Sequence, residues 1–135
     1  MQLIDVLTKN GASVVSIAPD LAIQGAAKMM AQHSIGAAVV VDGSLGIAGI
    51  LSERDITRAV GEHGGKIDAL HVEDLMVKDV ITCPSTCNIA EAMQIMQSNR
   101  IRHLPVLAED DKLVGMVSMR DMMELCLGDM MGMGL

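Results

Sequence analysis

The sequence predicts an α+β fold, α/β-like in its alternation, built from two β-α-β-β-α repeats that pack as a pseudo-twofold pair. Three observations carry this. The segment Gly49-Ile50-Leu51-Ser52-Glu53-Arg54-Asp55 returns 66 residues later as Gly115-Met116-Val117-Ser118-Met119-Arg120-Asp121, and the offset holds without a gap from Ile23/Ile89 to Val60/Cys126. Self-similarity at a fixed offset marks a repeated unit, and two copies mean a duplication, not a solenoid. Strand-like apolar runs and helix-period stripes follow one another in the same order in both halves. Half of the 135 residues are hydrophobic, enough for a core, yet each repeat alone is too small to bury its apolar face well. The chain, 1–135, therefore reads as one module: a first repeat with an N-terminal helix over 1–62, a second over 71–128, and a flexible tail over 129–135.

Residues 2–10 predict a short amphipathic helix through Leu3, Val6 and Leu7, ended at Asn10-Gly11. Leu3-Ile4-Asp5-Val6-Leu7 is echoed by Val72-Glu73-Asp74-Leu75-Met76 ahead of the second repeat. Val14–Ile17 predicts a strand stopped at Pro19, with Asp20 capping a helix whose Ile23, Ala26, Ala27 and Met30 fall on one face. Ile89, Ala92, Met93 and Met96 repeat that stripe. The second copy has one extra residue after its Pro84, so the registers before and after that loop are expected to differ by one between copies. Ala37–Val41 predicts a buried strand, Asp42-Gly43 a hairpin, and 53–62 a helix carrying Ile56, Ala59 and Val60. Gly61, Gly64 and Gly65 mark a loop between the repeats. The second repeat predicts strand Val80–Cys83, helix Asn88–Asn99, strand Leu104–Leu107, a turn at Glu109-Asp110-Asp111, strand Leu113–Val117 and helix Met119–Leu127.

Composition narrows the function. A net charge of −7 argues against nucleic acid, whose binding leans on basic surface. Phe, Tyr and Trp are absent, so a purine must lie between aliphatic side chains and backbone. No run of eighteen apolar residues predicts a membrane span, and Met1-Gln2-Leu3-Ile4-Asp5 has no signal-peptide pattern, so a cytoplasmic location is expected. The three cysteines Cys83, Cys87 and Cys126 read as free thiols without the spacing of a metal or redox pair. No G-x-S-x-G, H-E-x-x-H or Walker loop is present, and no catalytic role is expected.

The repeated stretch carries the chemistry. Ser52 and Ser118 stand where a strand ends and a helix begins, where a hydroxyl caps free N–H groups. Asp55 and Asp121, three residues on, complete a capping-box-like S-x-x-D. The same corner suits a ligand. A helix N-terminus offers N–H donors and partial positive charge to a phosphate, and a carboxylate there accepts both hydroxyls of a ribose diol. Arg54 and Arg120 add a guanidinium fork for phosphate oxygens, and Gly49 and Gly115 permit close approach of a ligand or backbone. A second stretch, Asn99-Arg100-Ile101-Arg102-His103, clusters three cationic or titratable side chains in an acidic chain. It is an anion-binding candidate, or a solvated turn paired with carboxylates. The equivalent Gly36 and Ala37 are uncharged, so the two sites are expected to bind one ligand unequally.

With G-h-h-S-x-R-D present twice, the chain resembles a tandem CBS-domain (cystathionine β-synthase domain) pair of the small stand-alone bacterial or archaeal type. The resemblance covers residues 1–128, and both copies match the family's G-h-h-[ST]-x-x-D at every defined position. It implies that Asp55 and Asp121 hold the ribose of an adenosyl ligand, with Ser52 and Ser118 near ribose and phosphate. It implies that Arg102 and His103 meet nucleotide phosphates. It also implies that strands Val15–Ala18 and Ile81–Pro84, through Ile17, Ala18, Thr82 and Cys83, lend backbone groups to the adenine edge. The implied ligand is AMP, ADP, ATP, NAD(H) or S-adenosylmethionine, bound in clefts between the repeats as a regulatory ligand and not as a catalytic cofactor. The implied partners are a second copy in a disc-shaped homodimer and an unidentified regulated protein, with no nucleic acid and no membrane. The alternative is a ligand-free dimerisation or protein-interaction module in which the motifs only cap helices.

Overall fold

The computed structural model describes residues 2–10, 14–43 and 46–130. The chain divides into two compact units, Val15–Val80 and a second made of Met1–Val14 with Ile81–Leu135. The first unit holds β1 (Ser16–Ile17), α2 (Ile23–Gln32), β2 (Ala37–Val41), β3 (Ile47–Ser52), α3 (Glu53–His63) and α4 (Val72–Leu75), with α1 (Leu3–Asn10) belonging to the other. The second unit adds β4 (Cys83–Pro84), α5 (Ile89–Asn99), β5 (His103–Leu107), β6 (Leu113–Ser118) and α6 (Met119–Met130). Each unit is an α+β unit on a three-stranded sheet, ordered β1-β2-β3 and β4-β5-β6, with the first pair parallel and the second antiparallel.

The apolar stripes of the sequence become the cores. Ile17, Ile23, Ala26, Met30, Val40 and Leu51 are buried together in the first unit. Cys83, Ala92, Met96, Leu104, Val106 and Val117 are buried together in the second. Residues two apart on a strand share a face, so burial of that face sets the register. Ile17 pairs with Val40 and Cys83 with Val106. The 66-residue offset thus runs unbroken through the loop, and the expected one-residue difference in register is wrong. The two prolines are not equivalent: Pro84 pairs with Leu107 on an edge strand, where a missing N–H is tolerated, and its counterpart is Ala18.

Two local expectations also change. Asp20 does not cap α2. Ala22 occupies the cap position without a side-chain bond, and the Ile23 N–H donates to the Leu70 carbonyl at 3.0 Å. Backbone from the linker thus satisfies a helix-end donor that a side chain was expected to satisfy. The glycine-marked loop after α3 is partly a 3₁₀ segment, Gly64–Ala69. α6 runs to Met130, so the first two residues of the expected tail are helical, while 131–135, Gly11 and hairpin residues 44–45 lie outside the described residues.

The sequence repeats and the packed units are not the same partition. The Leu3 and Ile4 N–H groups donate to the Cys87 and Ser85 carbonyls at 2.9 and 3.3 Å. The Val72 and Glu73 N–H groups donate to the Leu21 and Pro19 carbonyls, each at 2.9 Å. Helix α1, expected with the first repeat over 1–62, therefore packs with the second unit. Helix α4, expected with the second repeat over 71–128, packs with the first unit. Leu3 and Val72 are fully buried in these equivalent positions.

Candidate functional site: the two strand-to-helix corners

Both repeated motifs sit at the junction of an edge strand and a long helix. Ser52 ends β3 in extended conformation and caps α3. Its N–H and hydroxyl donate to Asp55 Oδ2 at 2.9 and 3.0 Å, and its Oγ accepts the Asp55 N–H at 3.3 Å. Ser118 does the same for α6: its N–H donates to Asp121 Oδ2 at 3.2 Å, and its Oγ accepts the Asp121 N–H at 3.0 Å. Each corner is a complete capping box. Serines and aspartates are half-buried, and among the described residues Oδ1 of neither carboxylate receives a hydrogen bond. Each carboxylate therefore keeps acceptor capacity beyond its structural task.

The turn before the middle strand is tied to the same corner. Ala37 pairs with Ser52 and His103 with Ser118 across the antiparallel ladders. The Gly36 carbonyl accepts the Glu53 N–H at 2.9 Å, and the Arg102 carbonyl accepts the Met119 N–H at 2.8 Å. Arg102, His103, Ser118, Arg120 and Asp121 thus gather at one corner of the second unit. Arg102 is exposed, and Arg120 is exposed and donates to Glu124 at 3.3 Å. In the first unit, Ser52, exposed Arg54 and Asp55 gather beside uncharged Gly36 and Ala37.

Ile17, Ala18, Thr82 and Cys83 are not brought to these corners within a unit. They lie on or beside β1 and β4, across the middle strand, and Ile17 pairs three residues along β2 from Ala37. That is about 10 Å along the sheet. Ile17 and Cys83 are buried, Thr82 is half-buried and Ala18 exposed. Burial, then the neighbouring Cys87 and Glu91, pushes the Cys83 thiol up to about 12, and burial with Glu91 raises Cys87, whose Sγ donates to Glu91 Oε2 at 3.2 Å. Both thiols stay protonated near neutrality and are poor nucleophiles.

At the motif glycines the structure shows the protein itself in close approach. A Cβ at Gly49 would lie 2.7 Å from Met76 Sδ and 2.8 Å from the Val77 carbonyl oxygen, and one at Gly115 would lie 2.5 Å from Leu7 Cδ2. The close approach is made by Met76 and the Val77 backbone, just after α4, and by Leu7 of α1. Glu53 and Met119 also belong to the corners, as the first helical residues beside each serine. Sequence reading passed over them as the variable position of S-x-R-D. Comparing that position between the copies was the available signal.

A family model described as CBS domain matches residues 4–62 and 72–128. The chain is 38% identical over 109 residues to an uncharacterized 17.7 kDa protein of Acidianus ambivalens, covering 81% of this chain and 65% of that one. It therefore spans less than two thirds of that relative, and it spans about half, 51%, of the mitochondrial CBS domain-containing protein CBSX3 of Arabidopsis thaliana, to which it is 39% identical over 76% of its own length. The crystal structure of the CBS-domain containing protein ATU1752 from Agrobacterium tumefaciens matches with a TM-score of 0.88 at 34% identity, covering 93% of this chain and 98% of that one. The CBS domain pair of protein MJ0100, solved in complex with 5′-methylthioadenosine and S-adenosyl-L-methionine, matches in fold with a TM-score of 0.84 at 23% identity, covering 96% and 98%.

Proposed function

The chain belongs to the CBS-domain family, as two domains in tandem, and from that premise we propose that it is a non-catalytic regulatory module that binds an adenine nucleotide or adenosyl compound at its two S-x-R-D corners. One observation carries the proposal: the same half-buried Ser–Asp corner is built twice on the same backbone, each time with a carboxylate oxygen that no hydrogen bond among the described residues uses. In each corner the Asp takes the ribose hydroxyls and the Ser and helix N-terminus lie toward the 5′ side. Arg54, Arg120, Arg102 and His103 contribute charge there. Ile17, Ala18, Thr82 and Cys83 contribute backbone to the adenine. A second copy of the chain and a regulated protein are the partners in this proposal, and the cytoplasm its location. Ligand changes the module only through unequal affinity for two arrangements of it.

The complete capping boxes favour a second reading, a ligand-free interaction module whose motifs serve helix stability alone. Calorimetric titration with AMP, ATP, S-adenosylmethionine and NADH, after removal of co-purified ligand, decides between them. Saturable binding of one of these, weakened at least about tenfold in Asp121→Asn or Asp55→Asn, is the expected result. No heat from any of them up to about a millimolar, roughly −4 kcal/mol of affinity, would leave the interaction module.

A further inference from the structure

The two corners share a backbone and differ in charge. Residues 36 and 102 both offer a carbonyl to the first N–H of the following helix, at 2.9 and 2.8 Å, and residues 37 and 103 both pair with the motif serine. Side chains at these positions therefore start from equivalent points around each Ser–Asp pair. In the first unit the set is Gly36, Ala37, Glu53, Arg54 and Asp55, two carboxylates against one guanidinium. In the second it is Arg102, His103, Met119, Arg120 and Asp121, two guanidinia and an imidazole against one carboxylate. Arg120 shares its charge with Glu124, where the first unit has Arg58, so the next helical turn works against the contrast. Among the described residues the side chains of Arg102 and Glu53 make no hydrogen bond or ion pair with the protein, and both are exposed, so both charges act outward. The contrast thus rests on positions 36/102 and 53/119.

We infer that the corners select opposite 5′ groups: the second-unit corner takes an adenosyl ligand with an anionic 5′ group, and the first-unit corner takes one whose 5′ group is uncharged or cationic. This rests on the proposal that the corners hold adenosyl ligands. Ribose recognition by Asp55 and Asp121 is common to both, so the discrimination lies at the 5′ end, where Arg102 attracts a phosphate and Glu53 repels it. At exposed positions each such charge is worth roughly three- to tenfold in affinity, and added salt weakens it.

AMP and 5′-methylthioadenosine differ only at that end and are the probes. Calorimetric titration of the full chain as Asp55→Asn leaves the second-unit corner, and as Asp121→Asn the first. The expected result is AMP preferred at least about tenfold in Asp55→Asn, the order reversed in Asp121→Asn, and the AMP preference shrinking in high salt. Adding Gly36→Arg and Glu53→Met to Asp121→Asn should bring back preference for AMP. The same ratio of affinities in both single variants, or a ratio unmoved by the charge exchange, overturns the inference while leaving adenosyl binding intact. No binding of either probe by the unaltered chain overturns the adenosyl proposal and the inference with it.

Discussion

The two units carry one backbone plan with different fastenings and fillings. In the first, α4 is tied at both ends: Val72 and Glu73 bond the loop before α2, and Val77 exchanges backbone hydrogen bonds with Ile50 at 2.9 and 3.0 Å. In the second, Leu3 and Ile4 make the equivalent bonds for α1, but among the described residues no bridge at Met116 matches that of Ile50. Pro105 on the middle strand also lacks the N–H that its counterpart Val39 donates to Val15. Where the first unit has Ile17, Leu21 and Gly25, the second has Cys83, Cys87 and Glu91. The Ser–Asp corner is kept through all of this. The lesson is that fastening and core chemistry can drift between the copies while corner geometry does not.

The fastening difference gives the largest expected effect. Gly49→Ala would place its Cβ against the Val77 carbonyl, so backbone must move, and a loss of about 3 kcal/mol is expected in chemical denaturation. At Gly115→Ala the nearest atoms are those of the Leu7 side chain, which can shift without moving backbone, and about 1 kcal/mol is expected. Equal losses would break the comparison.

The filling difference gives the next. The Cys83 thiol ordinarily titrates at 9.0 and is held up to about 12 in the folded chain, so the native state keeps a proton that the unfolded state gives up. Its contribution is fully present below about pH 9 and is lost as pH rises toward 12, by about 2 kcal/mol near pH 11. Cys83→Ile, which copies the first unit, should remove that alkaline loss. An unchanged stability difference between the two proteins from pH 8 to 11 would show that the thiol is not the cause.

The smallest effect tests what the units share. Ser52→Ala and Ser118→Ala should each cost about 1 kcal/mol, because each serine accepts one helix-end N–H. A cost at one corner only would mean that the boxes differ in more than their neighbours.

Most of the element order could be read from the chain, because the 66-residue repeat and the period of its apolar residues are local signals. The corner was legible for the same reason: Ser at a strand end and Asp three residues later act on their own turn. What could not be read depends on partners distant in sequence. Leu3 and Val72 have similar surroundings in sequence, and nothing local says that each helix packs outside its own repeat. Asp20 resembled a cap because the competing Leu70 carbonyl arrives from a linker far along the chain. The prolines suggested a slipped register because edge-strand tolerance of Pro84 shows only once the pairing is known. Gly49 and Gly115 could be read as points of close approach, by ligand or by backbone, but which residues approach them, Met76, Val77 and Leu7, depends on the packing of α4 and α1.

The capping boxes and the proposed ligand contacts use the same two carboxylates, so the most direct measurement reads both uses together. Asp55→Asn/Asp121→Asn is titrated calorimetrically with the adenosyl ligand that the unaltered chain binds, and the same samples are melted. Asparagine still accepts the serine N–H groups but loses the charge and an acceptor site, so affinity should fall at least about tenfold while melting drops by only a few degrees. Undiminished affinity with a large drop in melting temperature would contradict the assignment and leave the motifs as helix caps.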